Sequence, residues 1–186
     1  MSRHATIPAL LIGSVWLAGC GAGADDSAEA AEHAAVLARL DALEAESVIR
    51  HKLQTYMAVL GASDWDTYIT YFTSDAKLIM SEGTRVGRDD IKERMSTAGA
   101  RLAAAAAARP VRKRADLLSN IEIEVHGATA TARSRFTFIA ENAEGSFDVT
   151  GSGLYIDEWA LEDGEWLIAA RTIDYDLLRT APPAQP

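Results

Sequence analysis

Residues 47–72 read SVIRHKLQTYMAVLGASDWDTYITYF. At about 100° per residue, Ile49, Leu53, Tyr56 and Leu60 fall on one stripe with Met57 at its edge, and Arg50, His51, Gln54 and Ala58 fall opposite. That is an amphipathic helix. Gly61 is expected to end it, because glycine tolerates the left-handed conformation of a helix exit. Ser63 is expected to start a second helix, with Asp66 three residues on in a capping-box-like arrangement. Trp65, Tyr68, Ile69 and Phe72 give that short helix an apolar face. Two helices with one apolar side each need something broad to cover both.

The second half of the chain supplies it. From Asp116 the apolar period changes to two. Leu117, Ser119, Ile121, Ile123 and Val125 alternate with charged and polar neighbours, and His126-Gly127 is a hairpin signal. Ala130, Ala132, Ser134, Phe136 and Phe138 then alternate with Thr131, Arg133, Arg135 and Thr137. A long strand follows over 146–160, with Phe147, Val149, Gly151, Gly153, Tyr155 and Trp159 read on one face. Gly151 and Gly153 imply a bend or a close backbone approach. Asp163-Gly164 is the clearest hairpin signal, and the last strand runs from Glu165 to about Tyr175. Between the halves, Ala76–Met80 and Thr84–Val86 read as two short strands, and a third helix is expected from Arg88 to about Ala108. Helices first and antiparallel strands after make an α+β fold with helices on one face of a curved sheet.

Composition sets bounds. The 186 residues are 48% apolar, enough for a core, and carry a formal net charge of −9. No basic stripe interleaves with aromatics, which argues against nucleic-acid binding. The single cysteine, Cys20, allows no intrachain disulfide. No Cys/His cluster has metal-site spacing, so no metal is expected.

The beginning of the chain reads as an export signal. Arg3 precedes an apolar run, Ala5 to Ala18, shorter than the ~20 residues of a membrane-spanning helix. The run ends in Leu17-Ala18-Gly19-Cys20, which resembles a bacterial lipobox with Cys20 as the lipidated residue. The domains expected are a lipoprotein-type signal peptide over 1–19, a flexible tether over 20–33, a folded domain over 34–178 and a disordered tail over 179–186. A lipid anchor gives a membrane attachment without a transmembrane helix. Gly21 after the cysteine, by resemblance to Gram-negative lipoproteins, implies the outer membrane, facing the periplasm.

Several local phrases in order carry a family resemblance. They are Asp64-Trp65-Asp66, Tyr71-Phe72-x-x-Asp75-Ala76, Gly83-x-x-x-Gly87-Arg88-Asp89-Asp90-Ile91, the run Leu117 to Val125, the run Thr129 to Phe136, Gly153-x-Tyr155-x-Asp157 and the run Asp163 to Arg171. Together they resemble a SnoaL-like domain of the nuclear transport factor 2-like superfamily, over roughly Leu40 to Asp176. The resemblance implies a cone: a strongly bent mixed sheet wrapped around the N-terminal helices, with an apolar cavity inside. Relatives of this type include polyketide cyclases, dehydratases, ketosteroid isomerases, an epoxide hydrolase and non-catalytic binding modules. The dehydratase-like branch implies a Tyr and an Asp near the end of the first long helix and a His heading the strand before Leu117. This chain has Tyr56 at the first position, Gly61 at the second and Asp116 at the third.

The candidate catalytic pair is therefore Tyr56 and Asp116. A carboxylate in an apolar cavity has its pKa raised by desolvation, which suits acid–base work. The competing reading of Asp116 is an exposed strand-start residue beside Arg112, Lys113 and Arg114. The candidate cavity residues are Leu53, Tyr56, Trp65, Phe136, Phe138, Tyr155 and Trp159, which sequence cannot separate from core. His4, His33, His51 and His126 are all expected away from the cavity. Asp64 and Asp66 read as helix-cap residues. Arg133, Arg135 and Arg171 alternate with apolar residues on strands, and one or two of them are expected to pair with Asp174, Asp176 or Glu158 on the outer face.

Two functions stay open at this point. One is an envelope-anchored small-ligand cavity protein without catalysis. The other is a cofactor-independent dehydratase, isomerase or hydrolase acting on an apolar, oxygenated, polycyclic substrate. Both imply a small apolar ligand and no cofactor. The outer sheet face is polar enough for a monomer or a homodimer.

Overall fold

The computed structural model describes residues 22–108, 113–142 and 144–178. Cys20, the 1–19 signal peptide and the 179–186 tail lie outside the described residues. The chain divides into two compact units, Met1–Ala38 and Arg39–Pro186. The described part of the first is helical.

Helix α1 spans Ala22–Ala62. It therefore begins within the stretch read as a flexible tether over 20–33. Ala28, Glu29, Ala30, Ala31 and Glu32 are strong helix formers without an intervening proline, and local propensity outweighs the acidic, small-residue look of the segment. Further along, Ala45, Ile49, Leu53, Tyr56, Met57 and Leu60 are buried, the stripe that the 3.6-residue period predicts.

The exit from α1 differs from expectation. The left-handed residue is Ser63, at φ 57°, and not Gly61. The short helix α2, Trp65–Tyr68, is capped by Asp64, whose carboxylate accepts from the Thr67 N–H. An Asp at this position competes well for the orphan amides of a first turn, so the cap falls one residue after Ser63. A single 3₁₀ turn, Ile69–Tyr71, leads into β1.

The sheet of the second unit has six strands in the order β2-β1-β6-β5-β4-β3. They are β1 Phe72–Met80, β2 Gly83–Val86, β3 Arg114–His126, β4 Thr129–Glu141, β5 Phe147–Glu162 and β6 Glu165–Leu178. Helix α3, Arg88–Ala108, separates β2 from β3. Only β1 and β6 pair in parallel; the sheet is mixed, curled and unclosed. Asp163 and Gly164, both at positive φ, turn β5 into β6 as the Asp-Gly signal requires.

Of the register shifts in the sheet, those in β3 and β5 move residues whose faces the alternation predicted. In β3 the pairing with β4 slips between Ser119 and Glu122, and Asn120 takes φ 50°. The simple alternation placed Leu117 and Ser119 with Ile121, Ile123 and Val125. The extra residue breaks that face in two: Ile121, Ile123 and Val125 pack on the core, while Leu117 is exposed and Leu118 packs instead. Asp116, in phase with Leu118, turns to the same inner side. In β5 the slip opposite Phe138 and Ile139 leaves Phe147 and Val149 exposed, away from buried Gly151, Gly153, Tyr155 and Trp159.

The glycines of β5 do what their strand position implied. A Cβ on Gly153 would stand 2.1 Å from the Asp174 carbonyl oxygen, and one on Gly151 would stand 2.9 Å from Phe138 Cδ2. Phe136 and Phe138 lie over these glycines, and the Phe136 ring stacks on Tyr155 at 4.5 Å.

Candidate functional site

The inner face of the sheet and α1 enclose a polar group within the aromatic core. Arg171 on β6 stands opposite Asp157 on β5. Its Nε and Nη2 each donate at 2.6 Å to the two oxygens of Asp157. Both side chains are fully buried. The guanidinium lies between two rings, with its carbon 4.3 Å from the centroids of both Tyr56 and Tyr155. Tyr56 Oη donates to Tyr68 Oη at 2.9 Å. Arg171 Nη1, Trp159 Nε1 and Ser134 Oγ are buried without a hydrogen-bond partner among the described residues.

The electrostatics follow from enclosure. Burial raises the pKa of Tyr56, against the opposing pull of the Arg171 charge. Burial raises Tyr68 and Tyr155 well above the usual phenol value, and neighbouring Tyr56 adds to it. Burial works against the charge of Arg171, yet Asp157 and the surrounding phenols together hold its proton more firmly than usual. The cluster therefore keeps neutral phenols around a charge-balanced ion pair near pH 7.

Arg135 pairs with Asp176 on the outer face, as one of the three arginines was expected to, whereas Arg171 is an interior residue. The phase of β5 carried the signal, since Asp157 shares the strand face of Tyr155 and Trp159. A carboxylate on a buried face demands a cation opposite.

Asp116 occupies a second environment. A cleft of about 410 Å³ is lined by Gln54, Met57, Ala58, Gly61, Arg114 and Asp116. Arg114 Nε donates to Asp116 Oδ1 at 2.7 Å, and the Asp116 side chain is 5% exposed. Asp116 Oδ2 faces Gly61, where a Cβ would stand 3.0 Å from it. So the glycine at the end of α1 serves space: it admits a carboxylate from the facing strand. The Arg114 guanidinium also lies 5.6 Å from the Phe138 ring centroid.

The structure thus places the two candidate catalytic residues in different surroundings. Tyr56 is engaged with Tyr68 and Arg171 and does not line the Asp116 cleft. Of the candidate cavity residues, Leu53, Tyr56, Phe136, Tyr155 and Trp159 are buried in the core, and Trp65 and Phe138 pack against it. Trp65 lies against α3, where a Cβ on Gly99 would meet its ring at 2.5 Å. None of these seven lines the Asp116 cleft or a second cleft of about 260 Å³ formed by Asn120, Glu122, Arg133, Arg135 and Leu154. Sequence reasoning missed Arg114 and Gln54 as cleft residues. The β3 bulge that turns Asp116 inward leaves no clear sequence mark beyond Asn120, a residue that tolerates positive φ.

Among the described residues, no His, Cys, Asp and Glu group is placed to hold a metal ion. Asp64 caps α2, Asp66 pairs with Lys92, and His33, His51 and His126 are exposed. No helix among the described residues is long and apolar enough to cross a membrane.

Comparison with known proteins places this geometry in a family. The SnoaL-like domain model matches residues 41–172. The chain belongs to the SnoaL-like domain family. No curated protein matches it. Among solved structures, a protein of unknown function from Mycobacterium tuberculosis is 26% identical, with 77% of this chain and 83% of that chain covered and a TM-score of 0.61. A nuclear transport factor 2-like protein with a cystatin-like fold from Novosphingobium aromaticivorans is 20% identical, covering 76% and 88% at a TM-score of 0.65. A candidate scytalone dehydratase from the same organism is 21% identical, covering 77% and 95% at a TM-score of 0.59. The latter two likenesses show the fold alone: this SnoaL-like domain has the nuclear transport factor 2-like architecture.

Proposed function

We propose that this SnoaL-like domain binds a small, oxygenated ligand with an apolar body, without a cofactor and without dehydratase chemistry, at the bacterial cell envelope. The observation that carries this reading is the cleft beside Gly61. It sets an enclosed carboxylate and a guanidinium against Met57 and Ala58, in a volume of about 410 Å³, within the ~300–1,000 Å³ range of small-molecule sites. Two features support binding over turnover. The positions at which the resemblance implies Asp and His hold Gly61 and Asp116. Tyr56, the remaining phenol, is spent on Tyr68, and burial holds its proton.

The test is native mass spectrometry of the protein purified from envelopes, beside turnover assays with β-hydroxy ketones. A co-purified small molecule without conversion supports the reading. Turnover that Asp116→Asn and Tyr56→Phe abolish would replace it with the catalytic alternative, in which these two residues form an acid–base pair. That alternative has one observation in its favour, the 5% exposure of the Asp116 side chain.

The envelope location rests on the lipobox ending in Cys20, with lipid as the sole membrane attachment and the outer membrane, facing the periplasm, as the destination. Fatty-acid labelling that survives Cys20→Ser would sink it. A homodimer through the outer sheet face is part of the same proposal. Exposed Leu117, Val149, Ile156 and Leu177 support it, and a monomer in sedimentation at high concentration would reject it.

A further inference from the structure

The cleft beside Gly61 offers an acceptor and a donor side by side. Asp116 spends Oδ1 on Arg114; its Oδ2 has no further hydrogen-bond partner among the described residues, packs in the room left by the missing Gly61 side chain and borders the cleft. Arg114 has five N–H donors, and only Nε is used among the described residues. The two charges cancel. An anion entering here meets the Asp116 carboxylate, and a cation meets the guanidinium. A purely apolar guest would strip water from an ion pair and return no hydrogen bond, which is costly.

The group that satisfies both partners is neutral, with one oxygen that donates and an adjacent one that accepts. Resting on the reading of this cleft as the ligand site, we infer that it takes a neutral cyclic vicinal diol. One hydroxyl donates to Asp116 Oδ2. Its neighbour accepts from a terminal N–H of Arg114. The ring's C–H face lies on Met57 and Ala58, and Gln54 stands on the same wall, on the exposed side of α1. Charge-assisted bonds of this kind are about twice as strong as neutral ones, so losing either hydroxyl should be felt.

Two sources carry this chemistry, a saccharide and an alicyclic diol. The probes are methyl α-mannopyranoside and cis-tetralin-1,2-diol, with tetralin-2-ol and tetralin-2-carboxylate as one-hydroxyl and anionic controls. Binding to the full chain is read by titration calorimetry and by the ¹³C-methyl signal of Met57, one of four methionines. The expected result is at least one diol bound about tenfold more tightly than the mono-ol and the carboxylate, one good hydrogen bond to a charged group being worth about that factor, with the Met57 signal displaced. Mannoside binding then assigns the saccharide source, and binding of the tetralin diol alone assigns the alicyclic one. In Asp116→Asn the diol should lose its advantage and the carboxylate should gain on it, because Arg114 is left unbalanced. Arg114→Gln should weaken the diol without that gain.

Mono-ol and diol binding equally, with Met57 displaced, would overturn the diol inference and leave the cleft a ligand site. If no probe moves Met57, the inference fails here, while a ligand seen in the native mass spectrum would still uphold binding by the domain. These measurements on the unaltered chain decide the matter even if a variant fails to fold.

Discussion

Arg171→Met is the sharpest test of how this core is held. The substitution removes a guanidinium that is fully buried, bidentate to Asp157 and flanked by Tyr56 and Tyr155. What remains is a buried carboxylate whose paired cation is gone. Breaking a buried pair in this way costs about 3–5 kcal/mol, and the two lost ring contacts lie within that figure or slightly beyond it. Against a total stability of about 5–15 kcal/mol, the loss is large. At roughly 2–4 °C per kcal/mol for a domain of this size, the melting temperature should fall by about 6–20 °C. The assay is thermal and urea unfolding followed by circular dichroism, run beside Asp157→Leu and the double variant. If the cost comes from a stranded charge, Arg171→Met/Asp157→Leu should be more stable than either single variant, since replacing a whole buried pair by apolar groups is often near neutral. A single variant within about 1 kcal/mol of the parent, or a double variant no better than the singles, would refute the reasoning.

Three further outcomes follow from the same structure. Gly61→Ala should be neutral or destabilising in the parent, because its Cβ presses on Asp116 Oδ2 at 3.0 Å, but should stabilise an Asp116→Ser background by up to about 1 kcal/mol of helix propensity; equal effects in urea titrations of both backgrounds would deny the contact. Gly153→Ala should cost about 3 kcal/mol or more, read as loss of soluble folded protein or a collapsed urea midpoint, since the Cβ lies 2.1 Å from a backbone oxygen that cannot move freely. Tyr56, Tyr68 and Tyr155 have folded pKa values raised by burial above the usual phenol value of about 10. Their contribution is therefore fully present below pH 10 and lost as pH climbs through the raised values. Tyrosinate absorbance should show these three ionising only with unfolding, and a fully reversible titration of every tyrosine near pH 10 in the folded protein would contradict it.

Much of the fold was legible because its signals are periodic. The α1 stripe of Ile49, Leu53, Tyr56 and Leu60, the inward run of Ala130 to Phe138 on β4 and the Asp163-Gly164 turn each follow from one local rule, and the structure keeps all three. Where a strand face was misread, one added residue was responsible. A bulge leaves composition unchanged and shifts every later side chain to the other face, so Leu117 went out while Asp116 and Leu118 turned in. At the end of α1 two residues, Ser63 and Asp64, were both able to cap, and the carboxylate took the role.

The functional groups were harder to read because their meaning is pairwise. Asp157 alone is a polar residue in an apolar phase; only the β5–β6 register brings Arg171 opposite it. Gly61 alone reads as a helix terminator; only the β3 bulge, bringing Asp116 to face it, makes it a space for an oxygen. The two sites also divide labour by solvent access. The Arg171–Asp157 pair, with no exposed surface, holds strands β5 and β6 to α1 through the tyrosine rings. The Arg114–Asp116 pair has the same charges, yet Arg114 is one-third exposed and the pair borders a cleft. An ion pair closed on all sides can serve only the fold, whereas one with an open side keeps donors and an acceptor for a guest. That difference in enclosure is why the proposed ligand site is assigned to the Gly61 end of α1 and not to the centre of the aromatic core.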